Sequence, residues 1–160
     1  MESSGNVGRR LEDTKIDIKL KLSALWISVL FLYIYVDIFS IYEPGTVEGI
    51  LVGRVWEFEI TPLWIMGSLL LMTVPILMVF LSVVLPARVN RWVNLVAAIV
   101  YIVVSLGNTL GESWMYLYVG AIVEAVLLGL IVWFSWKWPR IDHEDSSKQT
   151  EFVQMGDSDV

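Results

Sequence analysis

Long apolar runs separated by short polar breaks set the plan of this chain. Residues 22–42 carry one charge, Asp37, and residues 113–136 carry one, Glu124. Residues 60–87 and 92–111 carry none. A helix that crosses a membrane needs about 20 mostly apolar residues, each rising about 1.5 Å. All four runs reach that length. Lipid offers no partners to backbone N–H and C=O groups, so each run must satisfy its own and be helical. Barrel strands would be about half as long and would alternate. The pattern predicts an all-α, polytopic membrane protein with a bundle of four transmembrane helices. The spans fall at about residues 21–42, 61–86, 91–109 and 113–137, within a membrane domain of residues 15–140. Residues 1–14 read as a flexible polar N-terminus. Residues 141–160 hold six acids and one Lys and read as an acidic, disordered tail.

Local signals refine the spans. Thr61-Pro62 is an N-cap followed by Pro at the first helical position, and Pro86 ends the same helix. Pro75 inside it removes one ladder bond and predicts a kink, read either as plain curvature or as a hinge. Residues 15–22 alternate polar and apolar, the wrong period for an amphipathic helix, and read as an interfacial lead-in whose lysines face lipid headgroups. Residues 43–59 form the long connection. Pro44-Gly45 opens it with a turn. Val47, Ile50 and Leu51 predict a short helix on the outer surface. Trp56, Phe58 and Ile60 alternate with Glu57 and Glu59, which predicts a short extended stretch. This partly ordered outer loop reads as a surface cap or as a lid over an outward-facing cavity.

Charge fixes the expected threading. Ten of the eleven Lys and Arg lie in the N-terminal segment, the second connection and the C-terminal segment; Arg54 alone lies on the other side. Cytoplasmic loops attract such residues, so both termini are expected in the cytoplasm of a multi-pass cell-membrane protein. No cleavable signal is visible, and the first span reads as a signal anchor. Trp26, Trp92, Trp133, Trp136 and Trp138 read as an inner aromatic belt, and Tyr42, Trp56, Trp64, Trp114 and Tyr116 as an outer one.

Composition narrows the function classes. Of 160 residues, 56% are hydrophobic and 18% charged, with mean hydropathy +0.67. That excludes a soluble enzyme. The net charge of −6 argues against nucleic acid, whose phosphates need a basic surface. With no Cys and one His, His143, a thiol relay, an iron–sulfur cluster or a bis-His haem cannot be built. No metal or cofactor is expected. The lipid bilayer is the expected partner, with a homo-oligomer or a membrane partner protein left open.

The intramembrane acids are the best site candidates, because an ionisable group in lipid normally faces the bundle interior or a wet cavity. Glu124 lies near the middle of the last span, and no Lys or Arg lies within any span to pair with it. It reads as a proton- or ligand-binding carboxylate, or as a neutral Glu hydrogen-bonded to another helix. Ala121, Ala125 and Gly129 form a small-residue ridge for close helix approach. Asp37 shares a face with Tyr33 and Ser40, and either lines a cavity with Glu124 or reaches the outer interface. Asn94 and Asn108 sit near opposite ends of the third span, where Asn usually bonds across helices. Asn108 and Glu112 stand at the level of Asp37, so Tyr33, Asp37, Asn108 and Glu112 form a candidate cluster. Arg88 and Arg91 flank the inner turn and are candidates for anionic lipid headgroups.

Several runs carry a family resemblance: Lys19-Leu20-Lys21-Leu22-Ser23-Ala24-Leu25-Trp26, Tyr33-Ile34-Tyr35-Val36-Asp37, Pro44-Gly45, Asn90-Arg91-Trp92-Val93-Asn94 and Trp136-Lys137-Trp138-Pro139-Arg140. As a set they resemble a family of small four-helix integral membrane proteins of bacteria and archaea that carries only a domain-of-unknown-function label. The resemblance spans about residues 15–140. It implies a four-helix membrane fold with cytoplasmic ends and brings no catalytic residues. Three functions stay open. A membrane scaffold or accessory protein is favoured by the lack of any nucleophile–base pair. A small proton- or ion-coupled transporter, acting as an oligomer through Glu124, is second. A lipid- or quinone-active membrane enzyme using Asp37 and Glu124 as acid and base is third.

Overall fold

The computed structural model describes residues 15–56, 58–109 and 114–138. The segments expected to be a flexible N-terminus (1–14) and an acidic tail (141–160), and Glu112, lie outside the described residues. The elements run α1 (Ile18–Ser40), α2 (Thr46–Leu51), β1 (Arg54–Val55), β2 (Phe58–Glu59), α3 (Pro62–Val84), α4 (Ala87–Thr109) and α5 (Met115–Trp136). Helices α1, α3, α4 and α5 are long and apolar enough to cross a membrane. The chain is a multi-pass membrane protein with an all-α bundle. Its small sheet is the antiparallel hairpin of β1 and β2, with Val55 opposite Phe58 and Arg54 opposite Glu59.

Helix α1 packs on α3 and α5, α5 packs on α4, and α3 meets α4 less extensively. The four close into a ring of antiparallel neighbours. One end carries the α3–α4 turn and both termini of the bundle; the other carries α2 and the hairpin. Large apolar side chains such as Phe31, Leu63, Phe80, Val103 and Ile122 stay exposed on the outside, as lipid contact requires. The tight core lies toward the termini end and the middle, where Leu22, Trp26, Met78, Ala98, Leu128 and Ile131 are buried together.

Helix α1 begins at Ile18, within the stretch whose alternation predicted a non-helical lead-in. The Asp17 carboxylate accepts from the Lys19 N–H at 2.7 Å, so a side-chain cap starts the helix where periodicity alone gave no signal. Two of the lysines there contact neighbouring helices. Lys19 Nζ donates to the Val83 carbonyl at the end of α3 (3.2 Å), and Lys21 Nζ lies 5.5 Å from the Phe134 ring centre near the end of α5. Cations at helix C-termini complement the helix dipole. At α3, Thr61 Oγ1 accepts from the Trp64 N–H at 3.1 Å and Pro62 takes the first position, as the sequence predicts.

Trp26 is a second departure. It belongs to the core, fully buried, and its indole N–H donates to Asn94 Oδ1 at 2.7 Å. A buried indole needs such a partner, and α4 supplies it across the bundle. Asn94 Oδ1 also accepts from Ser82 Oγ (3.0 Å), and its amide donates to Asn90 Oδ1 (2.6 Å). Trp26, Ser82, Asn90 and Asn94 are all buried, so this network ties α1, α3 and α4 together at the termini end.

Helix α3 carries two carbonyls that proline has orphaned. Pro75 cannot donate to Leu71 O, and Pro86 cannot donate to Ser82 O, because proline has no N–H. Helix α4 answers both. The Tyr101 hydroxyl donates to the Leu71 carbonyl, and Asn90 Nδ2 donates to the Ser82 carbonyl at 2.5 Å.

Candidate functional site

Toward the hairpin end the core gives way to a cavity of about 140 Å³. Its walls come from α1, α3, α4 and α5, and the hairpin turn reaches it through Trp56. Tyr33, Asp37, Asn108 and Glu124, four of the five clustered candidates, all line it. The fifth, Glu112, is outside the described residues.

Glu124 is the deepest charge-bearing group, 9% exposed. The helix α5 stripe Gly120, Glu124, Leu128, Ile131 and Ser135 is the buried face of that helix, which turns the carboxyl inward. Tyr33 Oη donates to Glu124 Oε1 at 2.5 Å and Ser105 Oγ donates to Oε2 at 2.7 Å. One carboxyl group thus links α1, α4 and α5. Asp37 sits one helical turn beyond Tyr33, exposed, nearer the hairpin. Asn108 is also exposed. The two acids line one cavity, deep and shallow, and among the described residues its lining holds no Lys or Arg.

Aromatic rings form much of the rest. Tyr101 stacks on Tyr33, with ring centres 6.3 Å apart and planes 27° apart, and meets Trp26 edge-on at 6.0 Å. The bond from Tyr101 to the Pro75-orphaned carbonyl holds its ring in place on the α3 side. Trp56 is more than half exposed and has a left-handed backbone, φ 50°. Two-residue hairpin turns favour Gly or Asn at such angles. A bulky residue there is costly, and outliers of this kind concentrate at functional sites. Leu32, Val36, Leu71, Met72, Val104 and Leu117 supply apolar wall.

The close helix approach falls at Gly120, one turn from Glu124. A Cβ built there would lie 3.2 Å from Val36 Cγ2, so the absent side chain lets α1 and α5 meet. The predicted ridge behaves differently: among the described residues no atom of another helix lies within 4 Å of a Cβ built at Gly129. Ala121 and Ala125 line a second, more apolar cavity of about 270 Å³ between α4 and α5, which shares Ser105 and Ala121 with the first.

The remaining candidates are elsewhere. Arg88 is exposed at the termini end. Arg91 is half-buried, its guanidinium 6.0 Å from the Trp92 ring centre and 5.8 Å from that of Trp136, with Nε bonded to no protein group. Tyr101 and Ser105 belong to the site and were not singled out by sequence; Trp56, also of the site, was read in the outer aromatic belt and in the cap or lid of the outer loop. A signal for the first two exists. Asn90, Asn94, Tyr101, Ser105 and Asn108 are spaced 4, 7, 4 and 3 apart, one polar stripe along α4. Among the described residues no three His, Cys, Asp or Glu side chains converge as a metal site would require.

A family model described as a family of unknown function, DUF6326, matches residues 12–144. No curated protein and no solved structure matches the chain.

Proposed function

The chain belongs to the DUF6326 family, which carries no assigned activity, and from that premise we propose that it is a small proton- or ion-coupled membrane carrier acting through Glu124. One observation carries the reading: a buried, cation-free carboxyl group lines a cavity inside the membrane domain, with a second acid one layer shallower. Ionisable groups placed in this way mark ion and proton routes. The aromatic floor and the Trp56 mouth fit a compartment that opens toward the hairpin side. The distribution of Lys and Arg supports a cell-membrane protein with both termini cytoplasmic, which puts that opening on the outer face.

In this reading Glu124 exchanges partners. Empty, it is held by the Tyr33 and Ser105 hydroxyls. Loaded, the carboxylate is neutralised by a proton or a cation, and the neutral pair is the form that low-dielectric surroundings tolerate. Asp37 takes the cation first, where solvent still reaches.

The same hydrogen bonds favour a second reading, the scaffold or accessory protein that the sequence favours. Both Glu124 oxygens are bonded, so the group serves equally as a strut joining three helices. Glu124→Gln separates the two. Gln keeps an acceptor for Tyr33 and a donor for Ser105, so the fold survives. For the carrier, pH-driven flux in reconstituted vesicles is present in the unmutated chain and lost in the variant. No flux in the unmutated chain, or equal flux in both, leaves the scaffold reading standing.

A further inference from the structure

We infer that the cavity's ligand is a small organic ammonium ion, held by aromatic faces with Glu124 and Asp37 as its counter-charges. The inference rests on the carrier reading's cavity and specifies its occupant. Three observations point there. The first is charge: two acids line the cavity with no Lys or Arg among its lining residues, so an incoming cation completes the electrostatics. The second is the wall. A bare inorganic cation needs a shell of oxygens. Here the Tyr33 and Ser105 hydroxyls are committed to Glu124, and beside the acids the cavity presents Tyr33 and Trp56 among aliphatic side chains, with Tyr101 buried behind Tyr33. Aromatic faces beside a carboxylate recognise an ammonium ion carrying alkyl groups. The third is size. The cavity holds about 140 Å³, close to the roughly 150 Å³ engineered cavity that admits benzene. A ligand of about six non-hydrogen atoms fits.

Trp56 completes the site. Its ring lines the cavity from the loop, at a backbone angle that turn chemistry would give to Gly or Asn. The bound ion is then enclosed by Tyr33, backed by Tyr101, within the bundle and by Trp56 at the mouth, with Glu124 beneath and Asp37 beside the entrance. The ammonium group comes either from a free solute or from the choline headgroup of a lipid in the facing leaflet.

The test is calorimetric titration of the full chain with tetramethylammonium chloride in dodecyl maltoside, whose headgroup carries no ammonium. Saturable binding is expected, with no competition from potassium chloride. Trp56→Ala should weaken it about tenfold, the scale of one desolvated cation–π contact. Trp56→Phe should recover part of that, and Glu124→Gln should abolish binding. Trp56 is exposed on a loop, so its variants test the site even if Glu124→Gln folds poorly. Added phosphatidylcholine distinguishes the sources. Competition with tetramethylammonium identifies the headgroup, and no competition identifies a free solute; both support the ammonium class. Absence of saturable binding overturns the inference, as does binding indifferent to Trp56→Ala or matched by potassium. If pH-driven flux through Glu124 is present while tetramethylammonium fails to bind, the ligand assignment alone falls. If tetramethylammonium binds and flux is absent, the carrier reading falls and the site remains.

Discussion

Tyr101→Phe removes one oxygen atom from the bundle and leaves the ring. Tyr101 is 2% exposed, so ring burial and its contacts with Trp26 and Tyr33 carry over to Phe. The loss is the donor to the Leu71 carbonyl. That carbonyl has no helical partner, because Pro75 stands four residues on. An unsatisfied buried acceptor costs about 1–3 kcal/mol in proteins generally. Hydrogen bonds inside membrane proteins average about 0.6 kcal/mol and reach about 1.7. An orphan with no alternative donor belongs near the top of that membrane range, so the expected loss is about 1.5 kcal/mol. The sharper test is a double-mutant cycle with Pro75→Ala, whose new N–H reaches Leu71 O along the helix. In that background Tyr101→Phe should cost about 1 kcal/mol less than in the unmutated chain. Reversible unfolding in mixed micelles with increasing dodecyl sulfate, followed by helical circular dichroism, gives all four corners of the cycle. Equal costs of Tyr101→Phe in the two backgrounds, within about 0.3 kcal/mol, would refute the claim that tyrosine and proline are coupled through that carbonyl.

Two further outcomes follow from the packing. Asn94→Leu keeps the branching and the number of heavy atoms but strips partners from the Trp26 indole, the Ser82 hydroxyl and the Asn90 amide oxygen. It should cost about 2–4 kcal/mol by the same unfolding assay; a loss below about 1 kcal/mol would show the network to be dispensable. Gly120→Leu places a side chain where even a Cβ lies 3.2 Å from Val36 Cγ2. It should push α1 from α5 at about 1–3 kcal/mol and widen the distance between spin labels near Tyr33 and Glu124, and an unchanged distance would count against Gly120 as the point of closest approach.

Much of the fold was legible in the chain because lipid imposes a single rule on long apolar runs. The four spans, the Thr61 cap and the short helix at Val47, Ile50 and Leu51 follow from residue pattern; the expected extended stretch holds at Phe58 and Glu59 but not at Trp56, which forms the hairpin turn. The site was partly legible for a related reason. An acid inside a span must face inward, so Glu124 and Asp37 drew attention, and Tyr33 and Asn108 followed by helical spacing and level. What escaped depended on contacts between helices. Trp26 looks like any interfacial tryptophan until Asn94 is found across the bundle. Ser105 is unremarkable until Glu124 faces it. The start of α1 was hidden because a single capping Asp17 outweighs an alternating pattern only seven or eight residues long.

The prolines of α3 connect these features. A helix packed tightly on all sides would make a missing N–H a defect. Here α3 leans mainly on α1 and meets α4 less extensively, and α4 side chains donate to two α3 carbonyls. At the termini end Asn90 bridges the gap and brings Asn94, Ser82 and Trp26 into one buried network, so that half is closed. One layer up Tyr101 bridges the gap alone, with a single hydroxyl at the end of a long ring. That bridge joins α4 to α3 while its ring stacks on Tyr33. The space left open between Leu71, Met72, Val104 and Asn108 is the cavity into which Glu124 points. Removal of the ring itself, rather than its hydroxyl, therefore bears on the cavity's existence: without it nothing among the described hydrogen bonds fixes the spacing of α3 and α4 at that height.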